Sequence, residues 1–218
     1  MSVLLVHGLG SSYEQNWLRP GWVDVLEAEG LLPRPVTLPG HGDVPLTGSP
    51  ADAVLAAARD ADGAPAGVGF SAGAIALLSA AAAEPGRFSR IVLLGVGDHV
   101  LAPERESVWP LAAALRGPAE PLDVLERTFW RLVGHSGNDR RRIAAYLESA
   151  PLGVAAERLA EVRCPVLVVV GDRDRAMPAE ALTAALPEAR LVVLPGVDHF
   201  ATVTALAAFD AVGHFLTS

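Results

Sequence analysis

The residues best suited to chemistry are those of Gly69-Phe70-Ser71-Ala72-Gly73, a match to the pattern G-x-S-x-G. An apolar run at 65–68 precedes this pentapeptide, and an alanine-rich run of strong helix formers at 74–83 follows it. The serine is therefore predicted to sit in a sharp strand-to-helix turn, with its hydroxyl held out at the helix N-terminus as a nucleophile. The two glycines leave room for the neighbouring strand and helix. In a chain rich in glycine and alanine, the pattern needs support from a base, an acid and an oxyanion site.

A serine hydroxyl becomes a useful nucleophile when a histidine takes its proton. The chain has six histidines, at positions 7, 41, 99, 135, 199 and 214. His199 is predicted to be the base, because it follows the last predicted strand on a glycine-punctuated loop. His7 and His41 are interpreted as loop and turn residues. A pocket-lining role is open for His99 and His135, although a loop role is the preferred interpretation.

The base needs an acid that holds its imidazole in the correct tautomer. Asp172 and Asp174 both follow the fifth predicted strand, in the stretch between Gly171 and Pro178. Asp174 is the preferred acid, whereas Asp172 could cap the turn or pair with the arginine between them. Asp98, after the fourth predicted strand, is an outside candidate.

The oxyanion of a tetrahedral intermediate needs two hydrogen-bond donors. The backbone N–H of Ala72, at the predicted helix N-terminus, is expected to supply one. The loop after the first predicted strand is expected to supply the other, and Leu9 follows His7-Gly8 directly there.

Six apolar runs of strand length alternate with helical patterns along the chain. The strands are predicted at 3–6, 35–38, 65–68, 90–94, 164–170 and 190–194. The helices between them are predicted at 21–29, 50–60, 74–83, 178–186 and 202–216. This alternation predicts an α/β fold with a doubly wound, six-stranded parallel sheet. Ligands bind such sheets at the carboxyl ends of the strands, where Ser71, Asp174 and His199 would converge.

One interval, between Gly97 and Arg163, contains no strand pattern. It holds helical patterns instead, at 104–115, 121–133, 140–147 and 154–159. We therefore predict that residues 1–97 and 164–218 form the core and that 98–163 is a helical insertion. At the carboxyl edge of the sheet, an insertion of this size would cover the serine as a lid.

Four aromatic side chains are candidates for the substrate pocket: Trp109, Phe129, Trp130 and Phe200. For each lid aromatic, packing of the lid helices against one another is the competing interpretation. A mostly apolar pocket favours an acyl group of small to medium size.

Length and composition restrict the class of protein. A chain of 218 residues, 51% hydrophobic and 19% charged, fits one domain with a large core. Its net charge of -8 argues against a nucleic-acid partner. No apolar run approaches the roughly 18 residues of a membrane span. The single cysteine, Cys164, and the strand-like start without a basic leader favour a cytoplasmic protein.

No cofactor is predicted. The sequence has no histidine, cysteine and aspartate cluster with metal-ligand spacing, and no phosphate loop. Gly67-Val68-Gly69 begins like a dinucleotide fingerprint but lacks the third glycine.

The chain resembles the serine hydrolases of the α/β-hydrolase fold. The resemblance rests on motifs that occur in the family's order: His7-Gly8-Leu9-Gly10, Pro39-Gly40-His41-Gly42, the Ser71 pentapeptide, Cys164-Pro165 to Pro178, and Gly196-Val197-Asp198-His199-Phe200. It implies a minimal core without the first two strands of that fold. It also supports Asp174 as the acid and Leu9 as the second oxyanion donor.

The chain departs from the family pattern at two positions. Phe70 stands where many members have histidine, and Ala74 stands where glycine is frequent. Neither position is catalytic. A dehalogenase or epoxide hydrolase of this fold would have aspartate at position 71, so Ser71 argues against both activities.

These observations predict a serine hydrolase that cleaves an ester or thioester of a small molecule through an acyl-enzyme. The same residues would also serve lactone opening, carbon–carbon bond hydrolysis or acyl transfer. A non-catalytic ligand-binding protein on a hydrolase scaffold is the alternative from another class. The presence of a serine, an aspartate and a histidine in suitable places disfavours that alternative.

Overall fold

A six-stranded sheet runs through the centre of the computed structural model, which describes residues 1–218. Its strands in chain order are β1 (Ser2–Val6), β2 (Leu32–Val36), β3 (Ala66–Phe70), β4 (Arg90–Leu94), β5 (Val166–Gly171) and β6 (Ala189–Leu194). Every neighbouring pair is parallel, and the spatial order is β2-β1-β3-β4-β5-β6. The predicted doubly wound parallel sheet is confirmed.

The central strands are almost entirely apolar, apart from Ser2 at the start of β1 and Arg90 at the start of β4, because helices cover both faces of the sheet. Every residue of β1, β3 and β5 is buried. Successive side chains point to opposite faces, so Leu4 and Val6 join one core cluster while Val3 and Leu5 join the other. The helices are therefore packed against two separate apolar layers.

Nine α-helices surround the sheet: α1 (Trp22–Ala28), α2 (Pro50–Arg59), α3 (Ala72–Ala83), α4 (Trp109–Arg116), α5 (Val124–His135), α6 (Arg140–Ser149), α7 (Ala156–Leu159), α8 (Glu180–Ala185) and α9 (Leu206–Thr217). Helices α1 and α9 pack on one face, in the cluster that contains Trp22 and Val212. Helices α2, α3 and α8 pack on the other face. No helix has the length and apolar character needed to cross a membrane.

The second strand differs from its predicted position: it spans 32–36 rather than 35–38. Its sequence, Leu-Pro-Arg-Pro-Val, has two prolines and is mostly exposed. Proline has no N–H to donate and is tolerated in edge strands, and β2 pairs only with β1. The apolar residues Val36 and Leu38 shifted the predicted strand towards the loop that follows β2.

Several short helical turns also differ from the predicted elements. A π-helical turn at Glu14–Leu18 was not predicted. The pattern at 104–115 divides into a 3-10 turn, Arg105–Val108, and α4, which has Pro110 in its first turn. The last predicted helix likewise divides, into a 3-10 turn at Phe200–Thr204 and α9.

Between β4 and β5 the chain is entirely helical apart from its connections, with α4 to α7 and two 3-10 turns at Asp98–Val100 and Arg105–Val108. We call residues 98–163 the helical segment. Its buried residues Leu115, Val133 and Ile143 belong to the same core cluster as Leu4 and Val6 of β1. The helical segment therefore shares the hydrophobic core of the sheet.

Candidate active site

Ser71 occupies a strained turn between β3 and α3. Its backbone dihedral angles are φ 53° and ψ −118°, and it is the one residue other than glycine with positive φ. A side chain at Gly69 would place its Cβ 2.6 Å from the carbonyl oxygen of Gly73 and 2.7 Å from Cα of Ala74. Glycine at these positions therefore allows the strand, the turn and the helix to approach closely. A strained serine at such a turn is typical of a nucleophile.

His199 links Ser71 to Asp174. Its Nε2 lies 3.1 Å from the Ser71 hydroxyl oxygen, and its Nδ1 lies 2.9 Å from Oδ2 of Asp174. The three residues come from loops after β3, β5 and β6, and the parallel sheet brings those loops to one edge. With Nδ1–H donated to the carboxylate, Nε2 is free to accept the serine proton.

Asp174 is held by its own turn. Its side chain is 1% exposed, and its second oxygen, Oδ1, accepts a hydrogen bond of 2.8 Å from the Ala176 N–H. Phe70 supports the other partner, because its ring packs against the His199 imidazole with the centroids 5.0 Å apart. The carboxylate and the imidazole are therefore both oriented by neighbouring groups.

The two competing aspartates have other contacts. Oδ1 of Asp172 accepts a hydrogen bond of 2.7 Å from the Gly196 N–H, which ties the loop after β5 to the loop after β6. Oδ1 of Asp98 accepts a hydrogen bond of 2.7 Å from the Leu182 N–H of α8. Neither carboxylate is hydrogen-bonded to His199.

His7 and His41 are fully buried and connect the loop after β1 to the loop after β2. Nε2 of His7 accepts from the Leu38 N–H at 3.2 Å, and Nε2 of His41 accepts from the Gly10 N–H at 2.9 Å. Burial lowers the pKa of His7 to about 4 and that of His41 to about 3, so both act as neutral acceptors. This agrees with their interpretation as loop and turn residues.

Near Ser71, the backbone amides of Leu9 and Ala72 have no acceptor in the protein. Ala72 is the first residue of α3, where N–H groups have no partner within the helix. Leu9 lies in the loop after β1, between Gly8 and Gly10, whose amides are both bonded to side chains. Both predicted oxyanion donors are therefore available to an anion beside Ser71.

Two cavities adjoin Ser71 and His199. The first has a volume of about 410 Å³, with apolar walls from Ile75, Val96 and Leu125. The second has a volume of about 280 Å³, with Leu9 and Leu132 on its walls. Phe129 and Phe200 line both cavities, and their rings are in T-shaped contact with centroids 5.5 Å apart.

The other two predicted pocket aromatics lie away from these cavities. Trp109 is 53% exposed at the start of α4. The Arg140 guanidinium lies over the Trp130 ring, with its Cζ 3.7 Å from the ring centroid. Phe129 and Trp130 are consecutive in α5 and therefore point about 100° apart, so only one of them can face Ser71.

Sequence reasoning missed several polar residues of the cavities. Arg173 and Arg175 lie at the first cavity, together with His99, whose pocket role was the less favoured interpretation. Burial lowers the pKa of His99. Asn16, at the second cavity, accepts the Gly8 N–H at 2.8 Å. Nothing in the sequence around Asn16 distinguishes it from an ordinary surface asparagine.

The chain is similar to known proteins over most of its length. A sequence model of the alpha/beta hydrolase family matches residues 3–212. The pimeloyl-(acyl-carrier protein) methyl ester esterase of Aromatoleum aromaticum is 32% identical, with 90% of each chain covered.

Solved structures show the same fold. NosK from Streptomyces actuosus has a TM-score of 0.74 at 24% identity, with 98% of this chain and 96% of that chain covered. The enol-lactonase from Burkholderia xenovorans LB400 has a TM-score of 0.76 at 20% identity, with 100% of this chain and 91% of that chain covered.

Proposed function

The chain belongs to the alpha/beta hydrolase family, and we propose that it hydrolyses a carboxylic ester or thioester through an acyl-enzyme on Ser71. The observation that carries the proposal is the continuous hydrogen-bonded series from Ser71 through His199 to Asp174, with distances of 3.1 and 2.9 Å. A series of this geometry lets a neutral imidazole remove the serine proton at the moment of attack.

In the first half of the reaction, Ser71 Oγ attacks the substrate carbonyl carbon while its proton passes to Nε2 of His199. The carbonyl oxygen becomes an oxyanion, which accepts hydrogen bonds from the Leu9 and Ala72 amides. The His199 imidazolium is stabilised by the Asp174 carboxylate at Nδ1. His199 then donates the proton to the leaving oxygen or sulfur, and the C–O or C–S bond breaks.

In the second half, water attacks the acyl-enzyme. His199 removes a proton from the water, the amides of Leu9 and Ala72 hold the second oxyanion, and Ser71 leaves with the proton from His199. The products are a carboxylic acid and the regenerated serine. Only protons move in these steps, between Ser71, His199, the leaving group and water, so the reaction requires no cofactor.

The size and the apolar walls of the first cavity support a largely apolar acyl group of small to medium length. The cavity of about 410 Å³ next to Ser71 has apolar walls from Ile75, Val96, Leu125 and Phe129, and we place the acyl chain there. The relative from Aromatoleum aromaticum is named as a methyl ester esterase, which favours an ester with a small alcohol. A small leaving group would fit between Ser71 and the second cavity.

A fluorophosphonate probe with mass spectrometry of the intact protein tests the proposal, together with turnover of short-chain p-nitrophenyl esters. The wild-type protein should be labelled once, at Ser71. The Ser71→Ala variant should lose labelling and on the order of 10⁶-fold in kcat. Ser79→Ala, a change of the same kind within α3, is the matched control and should keep both. An unlabelled folded wild type, or an active Ser71→Ala variant, would contradict the proposal.

A further inference from the structure

We propose that Asn138 is a positioning residue that holds the loop at 8–11 in the conformation that presents the Leu9 amide to the oxyanion. We call residues 8–11 the oxyanion loop. The inference rests on the proposed function, because it concerns the donor that the proposed reaction requires. It adds a residue from the helical segment to an oxyanion site whose two donors come from the loops after β1 and β3.

Asn138 makes contacts to two separate loops. Its Nδ2 donates to the carbonyl oxygens of Gly10 at 3.0 Å and Ser11 at 2.9 Å. Its Oδ1 accepts from the Gly42 N–H at 2.7 Å. Only one orientation of the amide satisfies two carbonyl oxygens on one side and an N–H on the other.

The neighbouring Ser136 strengthens the same tether. Its hydroxyl donates to the Gly10 carbonyl oxygen at 2.6 Å, and Asn138 Nδ2 lies 2.8 Å from that hydroxyl oxygen. Asn138 is 9% exposed, so its side chain exchanges these partners for water only at a cost. Both residues follow α5, the helix that carries Phe129.

Two further side chains, Asn16 and His41, also hold the oxyanion loop. The Gly8 N–H is bound by Asn16, and the Gly10 N–H is bound by His41. The carbonyl oxygens of Gly10 and Ser11 are bound by Asn138. Leu9 therefore lies between anchored residues, and its N–H is the one left free.

Steric contacts restrict the same loop. Gly10 has a φ of +65°, and a Cβ there would meet the Val133 side chain of α5. The helical segment thus both packs on the oxyanion loop and bonds to it. A preorganised amide is effective because it needs no rearrangement when negative charge develops. Without Asn138, the carbonyl oxygens of Gly10 and Ser11 lose this donor, and we expect the Leu9 amide to be less well fixed when the charge develops.

The expected signature is a loss of kcat without a matching rise in KM, because the oxyanion exists only in the transition state. Complete loss of one oxyanion donor costs about 10²- to 10³-fold in kcat, and displacement of a donor that is still present should cost less. We expect Asn138→Ala to lower kcat roughly 10- to 100-fold, with KM within about twofold of wild type.

The test compares Asn138→Ala with Asp139→Ala. Asp139 is the N-cap of α6 and accepts the Arg142 N–H, so its loss perturbs the same segment without touching the oxyanion loop. Steady-state kinetics on a short-chain p-nitrophenyl ester should show the kcat loss only in Asn138→Ala. Inhibition by a trifluoromethyl ketone, which forms a tetrahedral oxyanion on the serine, should weaken by a similar factor, whereas inhibition by the primary alcohol of the same chain length, which forms no oxyanion, should not change.

A purely structural role for Asn138 would lower the unfolding midpoint and leave the kinetics of the folded fraction unchanged. A folded Asn138→Ala protein with kcat within twofold of wild type therefore overturns the inference, as does equal weakening of both inhibitors. If Asn138→Ala does not fold, Ser136→Ala removes one tether to the Gly10 carbonyl and should lower kcat several-fold at constant KM. No kcat change in that variant is then the overturning result. Wild-type activity that depends on Ser71 keeps the proposed function intact in every one of these outcomes.

Discussion

Asp172 and Asp174 are two residues apart after β5, yet their carboxylates serve different loops. Asp174 faces inward, is buried, and receives the His199 Nδ1–H at 2.9 Å. Asp172 is exposed and holds the Gly196 N–H in the turn that precedes His199. For a single residue, the direction in which a short side chain leaves the backbone decides whether its carboxylate reaches His199 or the turn at Gly196.

Replacing Asp174 by asparagine should lower kcat about 10³- to 10⁴-fold, because an amide cannot hold the imidazole in the same tautomer or stabilise its protonated form. Asp172→Asn keeps an oxygen that can accept the Gly196 N–H, and it should stay within a few-fold of wild type. Steady-state kinetics of the two variants on one ester measure the difference. A larger loss in Asp172→Asn would overturn the assignment of the acid.

At the scale of elements, α5 determines which part of the helical segment faces the serine. Phe129 points to the two cavities and contacts Phe200. Trp130 points elsewhere and contacts Arg140. Because the two rings of Phe129 and Phe200 line both cavities, they form the wall between them, and we expect this wall to limit the length of the acyl chain.

Phe129→Ala should join the cavities of about 410 and 280 Å³ and shift the preferred acyl chain to a greater length. Values of kcat/KM across p-nitrophenyl esters of increasing acyl length measure this shift. Trp130→Ala, a large-to-small change in the same turn of α5, is the matched control. Its profile should keep the shape of the wild-type profile, and a Phe129→Ala profile with an unchanged optimum would contradict the assignment of the wall.

At the scale of the whole molecule, a buried pair of histidines joins the first two strand loops to the helical segment. The rings of His7 and His41 lie 4.9 Å apart, and His41 also contacts Tyr146 of α6 with a centroid distance of 5.1 Å. Both imidazoles accept backbone N–H groups through Nε2. Protonation at Nε2 would turn the acceptor into a second donor that faces the backbone N–H. It would also place a positive charge in the core.

We expect this pair to make the stability of the protein sensitive to acid. The unfolded histidines have a pKa of about 6.5, whereas the folded values are lowered to about 4 for His7 and about 3 for His41. Below pH 6.5 the unfolded chain binds protons that the folded chain does not, so stability falls as the pH falls. Between pH 7 and pH 5 we expect a loss of about 2 kcal/mol for each histidine.

Urea unfolding at pH 7 and pH 5 measures this loss. His41→Gln can keep an acceptor for the Gly10 N–H and removes one titrating group, so its stability should depend less on pH than that of the wild type. His214→Gln changes an exposed histidine of α9 and should leave the pH dependence unaltered. Equal slopes for wild type and His41→Gln would contradict the role of this pair.

Much of this protein can be predicted from local sequence, because local patterns carry physical information. Runs of apolar residues bounded by glycine and proline located five of the six strands to within a few residues, and their alternation with helices predicted the parallel sheet. The strand-to-helix turn at Ser71 was predicted from glycines that the crowded backbone requires. The edge strand β2 was misplaced because proline normally argues against a strand. Its prolines are tolerated since an edge strand needs no hydrogen-bond partner on its outer side.

The fold class can be predicted from local sequence patterns, and so can the residues that follow strands, among them Ser71, Asp174 and His199. Which side chains meet depends on how distant parts of the chain pack together. The direction of Phe129 rather than Trp130, the different partners of Asp172 and Asp174, and the contacts of Asn138 to Gly10 depend on groups that are distant along the chain. Periodicity along a chain reports which face of an element is buried. It carries no signal for which distant backbone group a single polar side chain will meet, and that pairing is set only when the loops pack together.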